Sequence, residues 1–249
     1  MIASAGKAGE GGEWDEQEVR RDLAAAMRWA ARLGFHEGVC NHFSVMLAPD
    51  RFLINAHHVH WSKARAGGLL LIDDRNGVLE GEGRPATTGF NIHVPMHLRT
   101  GHRVLLHTHM PHATALTCIE GGRLEMCHQN AGRFHGICAY DSDFNGFAMA
   151  TDEGARMARM MRDARVLFLR HHGVVVAGET IADAFDDLYY LERACEIQVL
   201  AMSTGRPLAR IAADRLDGLR DFPTRRENAR MFMSAIRTIL DQEDPGYAF

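Results

Sequence analysis

Val104-Leu105-Leu106-His107-Thr108-His109 is an apolar run that ends in two histidines one residue apart. Successive strand side chains point to opposite faces, so positions i and i+2 share one. Read as a strand, the stretch sets His107 and His109 side by side with Thr108 turned away, a chelating pair for a divalent metal. Downstream, Val166-Leu167-Phe168-Leu169 leads into Arg170-His171-His172-Gly173. A third imidazole from this second strand end completes a three-histidine site with an open position. That run is apolar on both faces, so alternation alone does not choose between His171 and His172.

Composition narrows the function classes. A chain of 249 residues can bury one large core. No Pro- or Ser-rich linker divides it, so residues 14–249 read as a single domain behind a Gly-, Ala- and Glu-rich leader at 1–13, expected to be disordered. A net charge of −4 with both signs mixed offers no basic stripe, which excludes nucleic acid as a partner. No apolar run approaches the roughly 18 residues of a membrane span. The five cysteines form no C-x-x-C and no signal peptide is recognisable, so reduced thiols and a cytoplasmic location are expected. Histidine, at 15 residues and clustered, is the compositional anomaly.

Periodicity gives an α/β order. Residues 15–33 carry Val19, Leu23, Met27 and Ala30 at helical spacing and stop at Gly34. Strand patterns follow at 42–46, 51–55 and 69–72, with a turn at 73–77 leading into Val78-Leu79. A helix is expected over 88–98, then the His107 strand, then a helix opening near Pro111. A helix over 152–161 feeds a strand over 164–171, with another strand at 174–177. Thr180 and Asp183 form a capping-box pattern that opens a long helix to about Met202, and a last helix covers 225–240. Element order does not separate a parallel from a mixed sheet.

The chain resembles the class II aldolase/adducin family along nearly its whole length. The resemblance is carried by Gly38-Val39-Cys40-Asn41-His42-Phe43-Ser44-Val45, by Leu70-Leu71-Ile72-Asp73, and by residues 104–115 and 167–173. The ordered pair H-T-H-x-P-H-A-T-A-L and H-H-G-V-V-V-A-G is specific. It implies a three-layer α/β/α fold, its central sheet mostly antiparallel or mixed and flanked by helices. It also implies a homotetramer with active sites between subunits, and a divalent metal on His107, His109 and His172, because the family's third histidine immediately precedes the glycine. Zinc is the expected ion, with manganese or iron as alternatives.

Departures from the family pattern bear on substrate and chemistry. The sugar-phosphate aldolases of the family place a catalytic Glu, and its epimerases an Asp, just after a Ser-Ser pair. Here the stretch reads Thr87-Thr88-Gly89, and a glycine can neither coordinate metal nor move a proton. The glycine-freed N–H groups that cradle phosphate are largely gone, replaced by Asn41-His42 and by His57-His58-Val59-His60-Trp61-Ser62. A sugar phosphate is therefore not the favoured substrate. Thr87, Thr88, Asn41 and His60 remain candidates to contact a small molecule, with a surface loop the alternative for the His57–His60 stretch. Arg133 either clamps a substrate carboxylate bidentately or sits in a structural ion pair. His171 and Tyr140 are candidate proton carriers. Tyr247, in a C-terminal stretch ending in aromatics, reads as a lid or proton donor, or as docking on the last helix. His93 and His97 stand four apart on a helix but lack a nearby third ligand, and read as buried hydrogen-bonded histidines.

The expected function is a metal-dependent lyase that breaks a C–C bond of a small oxo, hydroxy or hydroxyaromatic acid. Retro-aldol cleavage needs a base for the hydroxyl proton. Decarboxylation does not, so Gly89 favours a decarboxylase over an aldolase. The alternatives are a non-heme iron oxygenase on the same three histidines and an adducin-like binding module without catalysis.

Overall fold

The computed structural model describes residues 14–249, so the leader expected over 1–13 lies outside the described residues. Helix α1 (Glu16–Arg32) begins at Asp15, whose carboxylate accepts the Gln17 N–H, and one face of it is buried. Strands β1 (His42–Ala48), β2 (Arg51–Asn55), β3 (Leu69–Ile72) and β4 (Val78–Glu80) follow, then α2 (Thr87–Thr100), β5 (Val104–Thr108) and α3 (Pro111–Thr117). The second half holds α4 (Gln129–Gly132), β6 (Cys138–Asp141), α5 (Thr151–Met161), β7 (Val166–Leu169), β8 (Gly173–Gly178), α6 (Ile181–Met202), α7 (Ala213–Arg220) and α8 (Arg225–Glu243).

All eight strands join one sheet in the order β4-β3-β2-β1-β5-β8-β7-β6. Neighbours run antiparallel except β6 and β7. Alternation divides each strand between two helical layers. Phe43 and Val45 of β1 and Val104 and Leu106 of β5 face the core shared with α1, α3, α6 and α8. Leu105, Leu167, Leu169, Val175 and Ala177 face the opposite side, against Ile92 and Met96 of α2 and Met157 and Met161 of α5. The expected three-layer arrangement with a mostly antiparallel sheet is present. His107 shares a face with Leu105, and His42 and Ser44 share one with Met46, so these side chains all turn toward α2 and α5.

Two residues bring α2 and α5 close together. Pro95 lies inside α2 and has no N–H to donate, which frees the Asn91 carbonyl. Gly154 of α5 packs over that turn, where a Cβ would collide with the carbonyls of Asn91 and Ile92.

Elsewhere the structure departs from the expected elements. The strand expected over 164–171 spans only Val166–Leu169, because the backbone reverses at Arg170–His172 with His171 at φ +56. The short elements α4, β6 and α7 were not marked by periodicity. Each is short and, unlike the short β3 and β7, is not a continuous apolar run.

Candidate metal centre

His107 ends β5, His109 stands just beyond it, and His172 comes from the β7–β8 turn, which the Leu169↔Gly173 register sets beside β5. Their ring centroids form a triangle of 5.0, 4.8 and 4.8 Å. One nitrogen from each lies within 4.8 Å of the others, the single such group among the described residues. Gly173 makes the approach possible. A Cβ there would meet the Thr108 carbonyl oxygen at 2.5 Å and the His109 ring at 2.9 Å, so the third strand end reaches the pair only with hydrogen at this position.

Two of the rings have their tautomers set. His107 Nδ1–H donates to the Val174 carbonyl (3.0 Å), and His109 Nδ1–H donates to Glu37 Oε2 (2.5 Å). Both leave Nε2 as a lone pair, and His109 Nε2 is buried without a partner. This is how metal-binding imidazoles are oriented, with the far nitrogen held by a carbonyl or carboxylate. Burial holds His107 well below the usual histidine range, with the neighbouring imidazoles adding to it, and lowers His172 to about 4. Neutral rings are the metal-competent form. An orphaned buried nitrogen among oriented imidazoles fits a divalent cation.

The three rings open onto a cavity of about 470 Å³. Its apolar wall is Ile92, Phe144, Phe147, Ala148 and Met157, and its polar groups include His42, His57, Thr88, Thr114 and His171. Glu37 is the one carboxylate on its lining, and that group is already bonded to His109.

The profile of the class II aldolase and adducin N-terminal domain matches residues 21–199, a span that contains all three histidines and the strands that carry them. The chain belongs to the class II aldolase and adducin family. A Pseudomonas aeruginosa protein provisionally named a class 2 aldolase is 31% identical over 243 residues, covering 93% of this chain and 92% of its own. The decarboxylase NovR of Streptomyces niveus is 29% identical, covering 74% of this chain and 70% of its own. A Streptomyces roseochromogenus protein, named 4-hydroxy-3-prenylphenylpyruvate oxygenase/4-hydroxy-3-prenylbenzoate synthase, is 28% identical over 73% of this chain and 67% of its own. Among solved structures, an aldolase II superfamily protein from Pseudomonas syringae superposes with a TM-score of 0.85 at 26% identity, covering 96% of this chain and 98% of its own.

Within this class II aldolase fold, the other sequence candidates fall in different places. Thr88 and His171 line the cavity; Thr87 opens α2 and is exposed. His171 lies at the rim, its ring edge-on to Phe144 and its Nε2 accepting from Arg170. His60 is turned away, its ring shared between His36 and Ser62. Asn41 is buried beneath the site, where its Oδ1 accepts the Glu37 N–H (2.7 Å) and so holds the loop that carries Glu37.

Three candidates lie away from the histidines. Arg133 pairs with Asp186 and Asp187 of α6, the structural ion pair rather than the carboxylate clamp. Tyr140 stacks on Phe168, and its hydroxyl accepts the Leu124 N–H; burial pushes the phenol above its ordinary range. Tyr247 is fully buried against its own chain and donates to Asp241 (2.8 Å), so the docking alternative describes it and the lid does not.

Sequence reasoning missed Glu37 and His42. Glu37 stands in an irregular loop with no periodic or motif signal. His42 faces His107 directly in the β1–β5 register, with the two rings stacked at 5.8 Å. Its sequence signals were its position at the head of a strand and its place, with Asn41, where the sugar-phosphate relatives' pattern differs.

Proposed function

We propose that the chain is a metal-dependent lyase that decarboxylates a small hydroxyaromatic or oxo acid. The observation that carries this reading is the cavity's acid–base inventory: three imidazoles in one cluster, and no carboxylate on the lining free to act as a base. The position where the sugar-phosphate enzymes place their acid is Gly89, and the space beside it is filled. A Cβ at Gly89 would stand 2.7 Å from the His42 ring.

In this reading His107, His109 and His172 hold a divalent cation, with zinc first and manganese or iron as alternatives. The bound ion would supply Lewis-acid stabilisation of the anion left when the C–C bond breaks. Glu37 and the Val174 carbonyl keep two of the imidazoles aimed. The apolar wall of Ile92, Phe144, Phe147 and Met157 suits a planar ring. The bond to the carboxyl carbon breaks, its electron pair stays on the former α or ring carbon, and that carbon is reprotonated from solvent. No side-chain base has to remove a hydroxyl proton. The decarboxylase name of the Streptomyces niveus relative supports the reading. We take the assembly to be a homotetramer of this fold, with the cavity mouth near a subunit boundary.

The oxygenase name of the Streptomyces roseochromogenus relative favours a second reading, iron(II)-dependent oxygenation of a similar acid. Protein loaded separately with zinc, manganese or iron(II) and offered a panel of hydroxyaromatic and 2-oxo acids separates the two. Carbon dioxide release without oxygen uptake supports the lyase. Oxygen consumption only with iron(II) favours the oxygenase, and aldehyde release favours retro-aldol chemistry. No product from any pairing overturns both.

A further inference from the structure

Behind the three histidines a second line of imidazoles runs through the layer between sheet and α2. His97 Nδ1 meets the His102 carbonyl oxygen at 2.7 Å. A carbonyl only accepts, so Nδ1 carries the proton and His97 Nε2 is a lone pair. Ser44 Oγ lies 2.7 Å from that Nε2 and must donate to it. The Ser44 oxygen then accepts from His93 Nδ1–H at 2.5 Å. His93 Nε2 is left as a buried lone pair with no partner.

Three imidazoles flank His93. Those of His97 and His107 already donate their N–H to the His102 and Val174 carbonyls. The third is His42, edge-on to His93 at 5.6 Å between centroids, with both ring nitrogens buried and unpartnered. No hydrogen bond joins the two rings, and His93 Nε2 is the unpartnered acceptor nearest to hand on this line. A neutral His42 carries one N–H and one lone pair, on a ring that lines the cavity beside His107. Gly89 leaves room for that ring, since any side chain there would push against it.

We propose that His42 is a substrate-binding residue that accepts a hydrogen bond from a substrate hydroxyl and, with ligand seated, turns its one N–H to the lone pair that the buried line His93–Ser44–His97 leaves on His93 Nε2. The ligand class is a hydroxy acid or hydroxyaromatic acid seated against the three-histidine cluster. The choice of hydroxyl ligand rests on the lyase reading above, whereas the line from the His102 carbonyl through His97 and Ser44 to His93 stands on hydrogen-bond geometry. Ser44, His93 and His97 are positioning residues in this scheme. An unpaired buried acceptor is costly, and a substrate hydroxyl is the donor that would satisfy it.

Zinc-loaded protein labelled with 15N-histidine provides the test. Long-range 1H–15N spectra should show His93 and His97 each as a single Nδ1–H tautomer and His42 as a single neutral tautomer. Ser44→Ala should leave His93 and His42 exchanging between tautomers while the His107 and His109 signals stay in place. The functional arm uses 2-hydroxybenzoate and its O-methyl ether. His42→Phe should weaken 2-hydroxybenzoate binding roughly tenfold, the loss of about one hydrogen bond. It should leave the ether and the zinc content unchanged, and His42→Gln should recover part of the loss. Zinc loss in His42→Phe would make His42 a metal ligand and overturn the proposal, as would equal weakening of both probes. Mixed His42 tautomers in the unsubstituted protein would overturn it too. If the unsubstituted protein binds neither probe, the hydroxyaromatic class fails, and the tautomer spectra alone decide for or against His42.

Discussion

His171 and His172 are adjacent in sequence and opposite in placement. The φ of +56 at His171 swings its ring to the rim, while His172 turns inward to within 4.8 Å of both strand histidines, centroid to centroid. Two imidazoles bind a divalent ion far more weakly than three. Replacing His107, His109 or His172 by Ala should therefore strip zinc under mild chelation, read by metal analysis after dialysis against a weak chelator. His171→Ala should keep its zinc. The reverse result at 171 and 172 would mean that the turn presents the other ring. At the same scale, Arg133→Ala removes a cation from Asp186, a carboxyl that burial already drives upward and Arg133 pulls back down. Uncovering a buried carboxylate costs about 2–3 kcal/mol. That loss should appear in the urea midpoint with zinc content unchanged, whereas a loss of substrate affinity without destabilisation would restore the clamp role for Arg133.

Elements matter here through how closely they approach. The β7–β8 turn reaches β5 because Gly173 has no side chain against the Thr108 carbonyl and the His109 ring. Gly173→Ala forces backbone apart, so zinc affinity should fall at least tenfold, with a stability loss of about 1–3 kcal/mol. A variant with unchanged zinc affinity would show that the turn tolerates the shift without misplacing His172. The sequence made the strands legible where side chains alternate or run apolar, and the H-x-H spacing located two rings of the cluster. Periodicity could not choose between His171 and His172, because the choice depends on a left-handed backbone residue; only the family resemblance pointed to His172, the histidine before the glycine. Nor could it find Glu37, His42 or the short β6. Glu37 and His42 acquire their place from loop geometry and cross-strand register, and β6 (Cys138–Asp141) is not the apolar run that marks the equally short β3 and β7. Arg133, Tyr140 and Tyr247 were drawn toward the site by residue type, and tertiary packing put them elsewhere.

Across the whole molecule, the sheet separates a helical layer closed by the C-terminal segment from the layer that carries the imidazoles. On the first side, Tyr247 packs into the core with Asp241 as its acceptor, Arg28 pairs with Asp244, and the Gly67 N–H donates to the Phe249 carbonyl (3.1 Å). Burial raises the Tyr247 phenol to about 12, with the Asp241 bond adding to it, so it stays protonated as a donor. On the second side, His93 and His97 are almost completely buried as neutral rings. Burial is the main cause in both, taking His97 to about 4 against the pull of the His102 carbonyl, and His93 well below the ordinary value. In the unfolded chain both titrate near about 6.5. Between about pH 6.5 and about pH 4 the unfolded state therefore binds protons that the folded state refuses, and stability must fall as pH falls. Each such ring adds a slope of up to about 1.4 kcal/mol per pH unit in that window and nothing above it. Metal-free protein should thus show a urea midpoint that is flat above neutrality and drops steeply on the acid side, with His97→Gln drawing out the shallower curve. A midpoint equally flat on both sides of neutrality, or a slope unmoved by His97→Gln, would mean that the imidazole layer takes up protons without opening.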